Sequence, residues 1–201
     1  MPEGGPPPGG VVIVRHGATE WSEAGRHTGR TDLPLLPAGR HQAEQLSEIL
    51  DPGDFGRVLS SPLLRARETC ELAGFGDRME ICEDLQEWDY GDYEGMTTPE
   101  IRRQRPDWFL WRDGCPGGES PDQVAARADR VLQLVASFPD EARKPAILFA
   151  HGHSLRMLAA RWIELAAAGG GRLALKPGAL GVLGHERDVR VVDGWNVTML
   201  G

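Results

Sequence analysis

Lysine and cysteine are both scarce in this chain. Its 201 residues include two lysines against twenty arginines, and only three cysteines. Cys70, Cys82 and Cys115 are odd in number and lack metal-ligand spacing. That argues against a disulfide scaffold and for reduced thiols in a cytosol. No basic run interrupts a formal charge of −8, which argues against nucleic acid as the main partner. No apolar stretch approaches the roughly 18 residues that a membrane span needs. Residues 1–10 are almost entirely Pro and Gly without a hydrophobic segment, so they read as a disordered tail and not as a signal peptide. No repeat and no linker divides the remainder, which is expected to form one domain over residues 11–201.

The informative pattern is a pair of strand ends. Val11 to Val14 is a β-branched run bounded by Gly-rich sequence, and Arg15-His16-Gly17 follows it directly. Ala146 to Ala150 is a second apolar run, followed by His151-Gly152-His153. Chemistry in α/β sheets gathers just beyond the carboxyl ends of such strands. One His-Gly after a strand is ordinarily a loop residue; two of them, one beside arginine, point to a phosphate pocket with an imidazole able to attack. Because arginine is abundant, most arginines here read as solvated surface charge, Arg67 and Arg102 among them.

Between those strands the chain alternates. Arg15 to Leu36 is a long Gly-, Thr- and charge-rich loop, which in a compact domain is functional or disordered. Pro37 opens a helix to about Leu50, and Arg57-Val58-Leu59 is a short strand. Ser60-Ser61-Pro62 reads as a helix cap, and Met79 to Leu85 as a strand. Ser120-Pro121-Asp122-Gln123 is a capping box, opening a helix whose apolar face includes Val124, Ala128, Val131 and Phe138. A helix over about Ser154 to Ala167 and two short strands, Leu180 to Leu183 and Val189 to Val192, complete the chain. Strands alternating with helices imply an α/β fold with a sheet covered on both faces, and a terminal hairpin would make that sheet mixed.

Hydrolysis of a phosphate monoester requires charge neutralisation, an in-line nucleophile and a proton for the leaving group. Arginine forks suit phosphate oxygens. Arg15 is one candidate, and Arg65, in the first turn of a helix, is another, although taken alone it reads as surface. His16, on a loop and expected to be exposed, is the candidate nucleophile, with His151 a donor to the transferring group. The acidic loop Glu87-Trp88-Asp89-Tyr90-Gly91-Asp92-Tyr93-Glu94 offers four carboxyls as proton donor: Glu87, Asp89, Asp92 and Glu94. A zinc site at His151 and His153 is disfavoured, because i,i+2 residues after a strand face opposite ways.

Four motifs in order resemble the histidine phosphatase superfamily: Arg15-His16-Gly17, Ser61-Pro62-Leu63-Leu64-Arg65-Ala66, Glu87 ahead of Tyr90-Gly91-Asp92, and His151-Gly152. The resemblance spans about Val11 to Trp195. It implies a three-layer α/β/α sandwich with a mostly parallel central sheet, and a phosphohistidine on His16. It further implies a phosphate pocket of Arg15, Arg65 and His151, and Glu87 as general acid and then base. No metal or other cofactor is implied. Arg15 to Leu35, Asp89 to Gly95 and Trp111 to Cys115 are similar to fungal sedoheptulose-bisphosphatase-like enzymes and to an actinobacterial acid phosphatase. Carried over, Gly17, Ser22, Thr28, Gly29, Tyr90 and Gly152 would contact a phosphorylated small molecule. Mutases of the family carry asparagine in place of Ser22 and of His153, and a longer insert after the Glu87 loop. A cytoplasmic phosphomonoesterase is therefore the expectation. A cofactor-dependent phosphoglycerate mutase and an inactive phospholigand-binding protein are the alternatives, and a homodimer is left open. Glu119, in the Gly117-Gly118-Glu119-Ser120 turn, is either a pocket residue or part of a plain turn before a cap.

Overall fold

The computed structural model describes residues 8–137 and 144–198. Phe138 and residues 1–7 of the expected tail lie outside that range. Gly10 is inside it and buried, and its carbonyl accepts from Ala146 N at 3.2 Å.

β1 (Val11–Arg15) is apolar on both faces because both faces are covered. Val11 and Ile13 join one core, while Val12 and Val14 join the other. Beyond it, the loop is ordered around one helical turn, α1 (Glu20–Glu23), closed by a Thr19/Ser22 capping box. α2 (Pro37–Leu46), β2 (Arg57–Ser60) and α3 (Leu64–Cys70) follow. The expected α2 ran to Leu50, but regular helix ends at Leu46.

α3 begins later than its Ser-Ser-Pro sequence suggests, with Leu63 as its cap residue. Ser60 Oγ donates to Ser61 O and Ser61 Oγ pairs with His151, so Asp32 Oδ1 accepts from Leu64 N at 2.7 Å instead. β3 (Met79–Ile81) is shorter than expected, because Glu83–Leu85 turns into a 3₁₀ helix.

α4 (Thr98–Gln104), α5 (Leu110–Asp113) and α6 (Pro121–Ala136) come next, α6 opening on the expected Ser120/Gln123 capping box. β4 (Ala146–Ala150) runs directly into α7 (Gly152–Trp162). α7 starts two residues before the expected helix and ends earlier, near Glu164 with its φ of 60°. β5 (Leu180–Glu186) and β6 (Val189–Val197) form the terminal hairpin and extend past the predicted strands.

The strands make one six-stranded mixed sheet in the order β3-β2-β4-β1-β5-β6. β3, β2, β4 and β1 are mutually parallel, and β5 and β6 are antiparallel to their neighbours. On one face Leu46, Cys70 and Phe75 cover Val12, Val58 and Phe149. On the other, residues of α4 to α7, among them Ile101, Trp111, Val131 and Leu155, cover Ile13, Leu59 and Leu148. The result is an α/β sandwich with helices flanking a central sheet. No helix among the described residues is long and apolar enough to cross a membrane.

Candidate active site

Parallel pairing of β1 with β4 puts Arg15 level with Ala150. His16 and His151, one residue further along each strand, therefore emerge side by side, their ring centroids 5.2 Å apart. His16 was expected to be exposed, but it is only 5% exposed. Its Nδ1 donates to Gly17 O at 2.7 Å. A carbonyl oxygen can only accept, so Nδ1 carries the proton and Nε2 keeps its lone pair. Burial, reinforced by the cations of Arg65 and Arg15, holds the His16 pKa well below 6.5. The ring is thus a neutral imidazole at neutral pH.

His151 is wholly buried, and the same causes, burial first and then Arg65, keep it neutral. Arg65 Nε donates to its Nδ1 at 3.1 Å, leaving Nε2–H to donate to Ser61 Oγ at 2.7 Å. The rest of the Arg65 guanidinium donates to the carbonyls of Thr31, Thr28 and Gly29. Arg65 therefore reaches the site through His151 and the 28–31 loop and does not line the cavity.

A cleft of about 80 Å³ opens beside His16. Arg15, Ser22, Thr28, Glu87, Tyr90 and Gly152 share its walls with Arg26, His27, His153 and Arg156. A larger groove of about 330 Å³ lies between α6 and α7, but its Asp129 and Arg161 are spent on each other. Chemistry, not size, singles out the smaller cleft. Arg15 Nη1 donates to Leu175 O at 2.5 Å, whereas its buried Nε has no acceptor. Among the described residues only Arg67 Nε shares that condition. An unpaired buried donor at a cleft wall is a ready partner for an anion. Gly152 lets Arg15 pass close: a Cβ there would lie 3.1 Å from Arg15 Cζ.

Glu87, 5% exposed, faces His16 across the cleft. Its Oε1 accepts from Trp88 N and Ser154 N, and its Oε2 from His153 N, at 2.8 to 3.0 Å. The N-terminus of α7 thus fixes the carboxyl in place. Tyr90 Oη and His153 Nδ1 share a hydrogen bond of 2.6 Å; burial pushes the phenol pKa well above 10 and the imidazole well below 6.5.

Two expected contact residues are not brought to the cleft. Gly17 N donates to Thr69 Oγ1, and its Cα lies against α2, where a Cβ would meet Gly39 O at 2.1 Å. Gly29 N donates to the Glu94 carboxylate and its carbonyl accepts from Arg65. Glu119 is also away from the cleft, paired with Arg127 at 2.7 Å. Asp89 pairs with Arg30, Glu94 is held by Gly29 N and Thr31 N, and Asp92 does not line the cleft, which leaves Glu87 as the cleft's carboxyl. Sequence reading missed Arg26, His27 and Arg156 as cleft residues; Arg156 had a signal, lying four residues after Gly152 on one helix face. No group of three or more His, Cys, Asp or Glu among the described residues is placed to hold a metal ion.

Comparison with known proteins agrees with this geometry. The signature of the histidine phosphatase superfamily, branch 1, matches residues 11–198. An acid phosphatase of Mycobacterium tuberculosis is 41% identical over 182 residues, covering 90% of this chain and 88% of the relative. The sedoheptulose 1,7-bisphosphatase of Saccharomyces cerevisiae is 40% identical over 183 residues, 77% of this chain and 67% of the relative. The solved structure of a Mycobacterium tuberculosis open reading frame product superposes with a TM-score of 0.87 at 39% identity, covering 94% of this chain and 97% of that one. A mycobacterial glucosyl-3-phosphoglycerate phosphatase with bound VO3 gives 0.82 at 32% identity, covering 94% and 99%. With fold, motif order and sequence in accord, the chain belongs to branch 1 of the histidine phosphatase superfamily and is an enzyme that hydrolyses phosphate monoesters.

Proposed function

We propose that hydrolysis proceeds through a covalent phosphohistidine on His16 Nε2, with Glu87 as proton donor and then proton acceptor. Nε2 attacks phosphorus, an N–P bond forms, and the ester P–O bond breaks. Glu87 gives its proton to the departing alkoxide. Water then attacks phosphorus while Glu87 takes its proton, the N–P bond breaks, inorganic phosphate leaves and His16 is regenerated. Arg15 Nε–H holds a phosphoryl oxygen. Arg65 contributes positive field and keeps His151 in the tautomer whose Nε2–H can turn from Ser61 toward the phosphoryl group. The observation that carries this reading is the Nδ1–H···O=C bond from His16 to Gly17, which leaves an unprotonated nitrogen beside a cleft walled by Arg15 and Glu87.

Arg26 and Arg156 at the same cleft favour substrates with a second anionic group. Such groups fit the names of the sedoheptulose bisphosphatase and glucosyl-3-phosphoglycerate phosphatase relatives. Three free thiols, at Cys70, Cys82 and Cys115, suit a reducing cytoplasm. The test is acid-quench trapping of ³²P on the protein from a labelled sugar phosphate, with and without bisphosphoglycerate. Labelling of wild type but not of a His16→Ala variant, with phosphate released in the absence of bisphosphoglycerate, is the expected result. Label retained by His16→Ala would remove the nucleophile assignment, and a strict bisphosphoglycerate requirement would favour the mutase.

A further inference from the structure

Arg127 and Glu119 stand outside the cleft, yet they grip the segment that carries Glu87. Arg127, on the second turn of α6, donates from Nε to Glu119 Oε1 at 2.7 Å and from Nη2 to Glu119 Oε2 at 2.8 Å. Its remaining bonds go to main chain: Nη1 to Asp84 O at 2.8 Å and Gln86 O at 3.0 Å, and Nη2 to Glu87 O at 3.4 Å. Glu119 Oε2 also accepts from Asp89 N at 2.9 Å, and Glu119 N donates to Asp89 O at 2.9 Å. The Glu119 carbonyl accepts from Trp88 Nε1 at 2.9 Å. The side chains of one ion pair, 13% and 15% exposed, thereby hold the main chain at residues 84, 86, 87 and 89, and the Glu119 main chain holds Trp88. An exposed pair contributes little, but a mostly buried, bidentate one fixes geometry.

The grip explains why a carboxyl on a loop holds its place. The side chain of Glu87 is anchored to α7 by the N–H groups of His153 and Ser154, whereas its main chain is anchored to α6 by Arg127. Loss of the second anchor leaves the carboxyl bound at one end and free to drift with the loop. We propose that the Arg127–Glu119 pair is a positioning device for the proton donor, setting the distance from Glu87 to the leaving-group oxygen without touching substrate. The idea rests on the reading of Glu87 as general acid. Its signature is chemical: misplacement of an acid penalises a basic leaving group and spares an acidic one.

The experiment compares phosphoenzyme formation from glycerol phosphate and from 4-nitrophenyl phosphate in wild type, Arg127→Lys, Glu119→Gln and Glu87→Gln. Arg127→Lys keeps the charge and loses the planar fork. Both clamp variants are expected to lose roughly tenfold to a hundredfold on glycerol phosphate. On 4-nitrophenyl phosphate they should stay within about threefold of wild type, since that leaving group departs almost unaided. Equal losses on both substrates, or unchanged rates on both, overturn the proposal, because a merely structural pair would give one or the other. Should Arg127→Lys fold poorly, Glu119→Gln, which keeps shape and one carbonyl acceptor, is decisive by the same comparison. Glu87→Gln separates the two levels. If it shows no leaving-group preference, the acid assignment fails and takes this proposal with it. If it shows one that both clamp variants lack, only the clamp fails.

Discussion

Arg65 Nε donates to His151 Nδ1 at 3.1 Å, and that bond settles which nitrogen of the second imidazole bears a proton. A guanidinium can only donate, so the proton sits on Nε2, the nitrogen now held by Ser61 Oγ. A cation inside the fold thus does not compete for the phosphoryl group itself but prepares a neutral donor for it. Replacement of Arg65 by alanine should lower kcat/KM roughly 10²- to 10³-fold. It should also cost about 3 kcal/mol of stability, because the carbonyls of Thr28, Gly29 and Thr31 lose their shared donor. Arg67, which is half-buried and not the surface charge expected, and Arg102 do not line the cleft, so Arg67→Ala and Arg102→Ala should leave kcat/KM within about threefold. Steady-state kinetics with thermal melts on the three variants decide it; similar losses at all three positions would relocate the phosphate pocket.

The two imidazoles should separate under mutation. His16→Gln, which preserves much of the buried volume, should reduce turnover by roughly 10⁴-fold or more and abolish ³²P labelling. His151→Ala should slow turnover severely yet still permit slow labelling, since it stabilises the transfer without attacking. Quench-flow trapping reads both, and labelling of the His16 variant would refute the assignment.

Glu87→Gln should discriminate between leaving groups. General-acid catalysis contributes typically 10²- to 10⁴-fold and matters most for a strongly basic oxygen. Phosphoenzyme formation from a sugar phosphate should therefore fall far more than from an aryl phosphate. The phosphoenzyme should then accumulate, because the same carboxyl activates water in the second step. Asp89→Asn and Asp92→Asn serve as controls; the same dependence in either would mean that the acidic loop has been misread.

Acid should destabilise the fold through its buried histidines. His27 has its pKa pushed down to about 4 by burial, and His16, His151 and His153 are likewise depressed. In the unfolded chain each titrates near 6.5, so below that pH the unfolded state binds more protons and stability falls. For His27 the loss runs from about 6.5 down to about 4 and totals roughly 3 kcal/mol. Melting temperature should therefore drop steadily between pH 7 and pH 4. His27→Gln should flatten part of that slope; an unchanged slope would mean that His27 does not stay neutral in the fold.

What was readable before the fold was known depended on range. β1 and β4 announced themselves as continuous apolar runs, and because they pair in parallel their trailing residues His16 and His151 had to meet. The terminal hairpin was legible for the same local reasons, short of its full length. Ser61 misled: its oxygen accepts from Leu63 N at 3.3 Å and also pairs with the distant His151, while Asp32 supplies the acceptor at the first residue of α3. Gly17 and Gly29 lie where the motifs put them in the chain, but serve close contacts and loop bonds away from the cleft. Arg127 was silent among twenty arginines, since its acceptors lie eight to forty-three residues away. Partners at that separation leave no periodicity to read.

The contact of Gly17 with Gly39 leaves room for a Cβ at neither position, the second meeting Ala18 O at 2.2 Å. The strand end that carries His16 is thereby welded to α2, a joint that tolerates no drift. The opposite wall is of another kind. His27 is stitched to Gly95 and Met96 by main-chain bonds, while Ser22 Oγ closes the capping box of α1 and Arg26 Nη1 donates to Gly95 O at 2.7 Å. Wall shape and wall chemistry are thus coupled there: replacing Ser22 or Arg26 alters the loop's own bonds along with the surface that a substrate would meet.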